Sequence, residues 1–151
     1  MRHRISFAVI FSIALSASLA LHAEDCQKSI IPQGWNPSLA AAIESQQADL
    51  GDAKAQMQMN RISRRIADMK DAELFVIYVR LSEHLNAKQQ KNLLEKQTKW
   101  LKARSKYAES AVESEGGSLA AFESNAAESE FTDKRIKELS NKLATYEQKP
   151  K

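Results

Sequence analysis

Residues 74–101 read LFVIYVRLSEHLNAKQQKNLLEKQTKWL, and this stretch decides the fold. Leu74, Tyr78, Leu81 and Leu85 follow one another at spacings of four, three and four, which puts them on one side of an α-helix. Asn86 and Gln89 then stand three apart, the spacing of a capping box. In that arrangement the Asn side chain accepts from the backbone three residues on, and the Gln side chain reaches back. A second helical run opens there and carries Leu93, Leu94, Gln97, Trp100, Leu101, Tyr107, Ala108 and Val112. Two long helices meeting at a cap predict antiparallel neighbours.

The pattern extends both ways. Upstream, Met59, Ile62 and Ile66 continue the first stripe, and Asp52 can cap its helix, which runs to about Leu85. Before it, Asn36-Pro37 is a helix-start signal, and Ser38 to Leu50 forms a short helix that Gly51 ends. Downstream, Gly116-Gly117-Ser118 breaks the chain, and Ser118 can cap a third long helix. That helix carries Leu119, Phe122, Ala126, Phe131, Ile136, Leu139, Leu143 and Tyr146. Four Gly and three Pro in 151 residues are too few for the turns of a sandwich or barrel. The expected fold is therefore all-α: a small antiparallel helical bundle of three long helices plus a short N-terminal helix. The expected organisation is a signal peptide at 1–23, an arm and short helix at 24–51, the helical domain at 52–147 and a frayed tail at 148–151.

Arg2 and Arg4 precede an uncharged, mostly apolar run from Ile5 to Leu21, with Ala20 and Ala23 at candidate cleavage positions. This is the pattern of a secretory signal peptide. The competing reading is an uncleaved anchor, since such a run can just span a bilayer. Glu24 and Asp25 before Cys26 argue against lipidation of that cysteine. Cleavage after Ala23 leaves 20 basic and 19 acidic residues, so the mature chain is nearly neutral. The expected location is periplasmic or secreted, with no integral membrane span after cleavage and no nucleic-acid partner.

Charge is unevenly placed. Residues 60–107 hold 12 basic and 5 acidic residues, whereas residues 108–131 hold six glutamates and no base: Glu109, Glu113, Glu115, Glu123, Glu128 and Glu130. Two readings stand. The acids form a solvated loop beside a helix start, where the macrodipole favours them, or they form a docking tip for a cationic partner.

Chemistry for catalysis is sparse. After cleavage only His84 and Cys26 remain of their kinds. Gly116-Gly117 lacks the preceding strand and following Lys of a phosphate loop. The chain is read as no enzyme, with no catalytic, cofactor or metal residues and no cofactor. Cys26 has no internal partner, and the expectation for an orphan thiol in an oxidising compartment is a dimer linked through it.

The stretch from Met59 to Leu139 resembles the LprI-type lysozyme-inhibitor domain. Met59-Asn60, Asp71-Ala72-Glu73-Leu74 with Tyr78, and Leu93 to Leu101 with Arg104 align with its motifs. So do Gly116-Gly117-Ser118 and Thr132 with Arg135. The family's cysteine positions are occupied by Ile62, Ala108 and Ala127, which implies loss of its disulfides, one of them across the second hairpin. The resemblance implies a helical binding protein whose partner is a lysozyme or other peptidoglycan hydrolase. An immunity protein against an injected hydrolase is a variant of that reading, and a structural or adaptor protein of the envelope is the alternative. Candidate partner-binding residues are Glu109, Glu113 and Glu115 at the tip and Gln97, Trp100 and Arg104 on the second long helix. Trp100 and Tyr78 can equally be core, and Arg104 can equally pair with Asp71. The export reading predicts that mass spectrometry of the protein from the cell envelope finds an N-terminus at or near Glu24. A full-length chain in the cytosol would overturn it.

Overall fold

The computed structural model describes residues 31–32, 34–114 and 116–148. The expected signal peptide, Cys26 and Glu115 lie outside these residues. Four helices make up the regular structure: α1 (Ala40–Asp52), α2 (Gln56–Glu83), α3 (Ala87–Ser110) and α4 (Ala120–Glu147). No strand occurs among the described residues, as an all-α reading requires.

The turn between α2 and α3 is built as its sequence dictates. Asn86 accepts from the Gln89 backbone at 3.0 Å while the Gln89 side chain accepts from the Asn86 backbone at 3.0 Å. Gln90 adds a third tie: its Nε2 donates to the Ser82 carbonyl at 3.0 Å, satisfying an acceptor at the end of α2. Leu85 sits buried inside the turn.

The other expected caps are used differently. α1 begins at Ala40 and not at Ser38, and Asn36 instead accepts a hydrogen bond from Arg80 Nη1 of α2. Gly51 lies within α1, and Ala53 follows as the C-cap. α2 starts after Ala55 with no side-chain cap, so Asp52 does not serve. α4 starts after Leu119, also uncapped, and the Ser118 carbonyl accepts from Asn60 Nδ2 at 2.8 Å. At Asn36 a long-range partner takes the side-chain oxygen that a cap would use.

α4 is the central element. Its largest interface is with α2, a smaller one is with α3, and α1 packs on the far part of α2. α2 and α4 run in the same direction, since Arg64 meets Glu128 and Arg80 meets Glu147. α3 runs opposite to α4, since Gln97 meets Arg135 and Tyr107 meets Glu130. α2 and α3 make no comparable interface although only residues 84–86 separate them.

The interior divides along its length. Toward the α2–α3 turn it is leucine: Leu74, Leu81, Leu85, Leu93, Leu139 and Leu143 form one cluster, with Trp100 and Tyr146 against it. A second cluster, Ile43, Ile62 and Ile66, fixes α1 to α2. Beside that cluster, toward the α3–α4 loop, many buried residues of α2 and α4 are small or polar, among them Ser63, Ala67, Asn125, Ser129 and Thr132. Asn125 Nδ2 donates to Ser63 Oγ at 3.0 Å, which keeps that interface hydrogen-bonded.

Ala108 and Ala127 are both buried, each 7% exposed. The antiparallel register set by Gln97 and Arg135 carries Ala108 close to the level of Ala127. Ala108→Cys with Ala127→Cys is therefore expected to form a bridge on air oxidation. Closing a loop of about 20 residues should add about 3 kcal/mol and raise Tm by roughly 10 °C relative to the reduced protein. Free thiols at both introduced positions by peptide mass after oxidation would show the helices out of register.

Candidate docking site

The loop between α3 and α4 is organised by one carboxylate. Glu123 Oε2 accepts from the backbone N–H of Glu113 at 2.9 Å, from that of Ser114 at 3.1 Å and from Ser114 Oγ at 2.8 Å. Gly116 turns the chain with φ +71, a conformation that favours glycine. Gly117 N–H donates back to the Ser114 carbonyl at 2.9 Å. The Ser114 hydrogen bonds, then the Glu113 one, hold the Glu123 carboxyl below its ordinary range.

Two further acids of the 108–131 run are also spent inside the molecule. Glu128 takes Arg64 of α2 at 2.8 Å and Arg104 of α3 at 3.5 Å. Glu130 takes Lys134 at 2.6 Å and the Tyr107 hydroxyl at 3.1 Å, and both, Lys134 first, depress its pKa. Glu109 and Glu113 differ. Both are exposed, and neither carboxylate forms an ion pair with a described residue.

Gln97, Trp100 and Arg104 share a layer of α3 but do not form one exposed face. Arg104, with a side chain 13% exposed, pairs with Asp71 at 2.5 Å and donates to Thr132 Oγ1 at 3.3 Å. Its guanidinium lies 5.0 Å from the Trp100 ring centre, and that of Arg135 lies 5.9 Å from the same ring. Trp100 also leans on Phe131, whose ring in turn meets Tyr107 at 5.1 Å. These contacts stitch α3 to α4. Gln97 is half-buried: its Oε1 accepts from Arg135 Nε, and the residue lines a groove between α2 and α3.

That groove was not singled out by the sequence. Leu74, Tyr78 and Thr98 line it together with Phe75, Leu94 and Leu101, which are 65%, 58% and 41% exposed. It exists because α2 and α3 each pack on α4 more than on one another. A second apolar hollow adjoins it across Phe75, where Trp35 and Pro37 lie against Val76 and Val79. The only legible signal was Phe75 and Leu94, which stand one residue beyond their helices' inward stripes.

Among the described residues no cluster of His, Cys, Asp or Glu is placed to hold a metal ion, and no helix is long and apolar enough to cross a membrane. The geometry defines a small helical protein with an ordered acidic loop and apolar surface hollows, the equipment of a protein-binding module. The chain belongs to the LprI family: the family model described as "Lysozyme inhibitor LprI" matches residues 47–139. The match takes in the end of α1, all of α2 and α3, and α4 as far as Leu139. No curated protein and no solved structure matched the chain.

The Glu123 hub gives the loop a pH dependence. Its folded-state pKa is depressed, so its contribution is present above the unfolded value of about 4.5 and is lost as pH falls through the lower folded value. The amide proton shifts of Glu113 and Ser114 should titrate together with a midpoint below 4.5, and Glu123→Gln should remove the step. A midpoint at or above that value would show that the carboxylate does not hold the loop.

Proposed function

We propose that the protein is a non-enzymatic inhibitor of a lysozyme or related peptidoglycan hydrolase, acting outside the cytoplasm by docking on the enzyme. Family membership over residues 47–139 carries this reading. The export pattern at 1–23 supports the location, and the scarcity of nucleophile–base pairs supports binding over catalysis. The bundle scaffold is proposed to be the expected one in its up-down-up order, with α3 antiparallel to both α2 and α4 and α1 as the short N-terminal addition.

The docking element proposed is the loop end of α3, with Glu109, Glu113 and Glu115. Glu123 orders the backbone beneath Glu113, so this carboxylate is presented from a fixed turn. Glu109 projects from the last turn of α3. Acids on such a tip raise the encounter rate with a cationic enzyme more than they deepen the final affinity. Trp100 and Arg104 contribute by holding α3 on α4, and Gln97 is the member of that trio that borders open surface. The adaptor reading is favoured by a separate observation, the exposed Phe75, Leu94 and Leu101 along the α2–α3 groove.

Titrating purified protein into a lysozyme lytic assay should suppress turnover. Replacing Glu109, Glu113 and Glu115 together by Gln should weaken inhibition by roughly ten-fold, mostly in the association rate. Added salt should shrink the difference, because exposed charges are screened beyond about 8–10 Å. Full inhibition by a well-folded triple variant would move docking away from the tip. No inhibition by the unmutated protein, with retention of an envelope structural component in pull-down, would favour the adaptor.

A further inference from the structure

A third pocket, of about 210 Å³, opens between α3 and α4 toward the end of the bundle away from the 111–119 loop. Arg135 lies 15 residues beyond Ala120, roughly 22 Å along α4, so this place is separate from the proposed docking tip. Lys96, Asn92 and Lys142 line it, Arg135 and Glu138 stand together at its wall, and Leu93 and Leu139 supply an apolar floor. Neither lysine forms an ion pair with a described residue.

Arg135 is the unusual member. It is 6% exposed, and only part of its donor fork is used. Nε donates to Gln97 at 3.1 Å and Nη1 to Glu138 at 2.7 Å, while Nη2 is buried with no hydrogen-bond partner. A buried guanidinium nitrogen without an acceptor is costly and calls for an explanation. Glu138 cannot provide the second acceptor as it stands, since it binds Nη1 alone from one turn along the same helix. Its side chain is 63% exposed and free to swing into solvent. A carboxylate or phosphate approaching from the pocket can take Nη1 and Nη2 in parallel, the strongest geometry an arginine offers.

We propose that this pocket binds a small organic oxyanion, which displaces Glu138 from Arg135 and is neutralised by Lys96 and Lys142. The leucine floor favours an anion with an apolar body over a bare ion. Calorimetric titration of the purified protein with succinate, inorganic phosphate and chloride at matched ionic strength tests it. Saturable heat is expected with succinate or phosphate up to about 10 mM, and none with chloride. Tighter succinate binding identifies a carboxylate ligand, and tighter phosphate binding a phosphorylated one. Lys96→Ala with Lys142→Ala should weaken binding roughly ten-fold. Glu138→Gln should tighten it a few-fold, because the internal competitor loses its charge. A structural role for the cluster predicts neither effect. No saturable binding by either oxyanion, equal heat with chloride (an adventitious ion only), or binding left unchanged or weakened by Glu138→Gln in a protein with an unaltered helical spectrum would overturn the proposal.

Discussion

Glu128 is paired with two arginines from two different helices, and near the α3–α4 loop that carboxylate ties the three long helices together. Arg64 reaches it from α2 and Arg104 from α3, while Glu128 itself belongs to α4. The location explains its weight. The leucine cluster fastens the other end of the bundle and Ile62 and Ile66 pack with α1, but many of the other residues buried in α2 and α4 near the loop are small or polar and bury little apolar area. Directional contacts must set the spacing there. Each arginine also has its own second carboxylate, Asp68 for Arg64 and Asp71 for Arg104, so the guanidinium charges are compensated on both sides. Removing Glu128 would leave the poorly exposed Arg104 with a single carboxylate, Asp71, that is itself half in water, and partly buried charges tolerate such losses badly.

The same network decides what is free to bind a partner. Six glutamates in the 108–131 run look alike in the sequence. Folding assigns Glu123 to the loop backbone, Glu128 to the two arginines and Glu130 to Lys134 and Tyr107. The acidity available at the tip is thus smaller than the count, but what remains is better ordered. The Trp100–Arg104 pair follows the same logic from the other direction. It has the composition of an interface hot spot, yet the ring has two guanidiniums 5.0 and 5.9 Å from its centre and leans on Phe131, which makes it the joint between α3 and α4.

Legibility followed the range of the interaction. The Asn86–Gln89 box and the Leu74–Leu85 stripe are local, and both appear in the structure where the spacing put them. The Arg104–Asp71 pair was also readable, as one of two alternatives, because both residues stand on long helices joined by a tight turn. Failures came where a distant partner intervened. Asn36 stands in a helix-start pattern, but its side-chain oxygen is taken by Arg80 of α2. Leu94 and Leu101 count among the apolar positions of their helix, yet both face outward, for a related reason. Periodicity marks the stripe that can be buried, and only the tertiary arrangement shows which neighbour is present to bury it.

The replacements at the family's cysteine positions fit this picture. The sequence reads a divergent member in which Ala108 and Ala127 stand where a hairpin disulfide would be. Both are buried, so their small side chains let α3 and α4 approach near the loop. A disulfide would act chiefly by restricting the unfolded chain. The contacts found instead act in the folded state: Tyr107 with Phe131 and Glu130, Glu123 beneath the loop, and Asn60 bound to Ser118 across from α2. Several of these are charge-dependent. A loop held by a covalent bridge keeps its shape at any pH above denaturation, whereas this one is tied to an ionised Glu123. The cysteine pattern that the resemblance implies would constrain this hairpin through redox state, whereas the contacts at Glu123 depend on a carboxylate whose pKa is lowered, at the surface where docking is proposed.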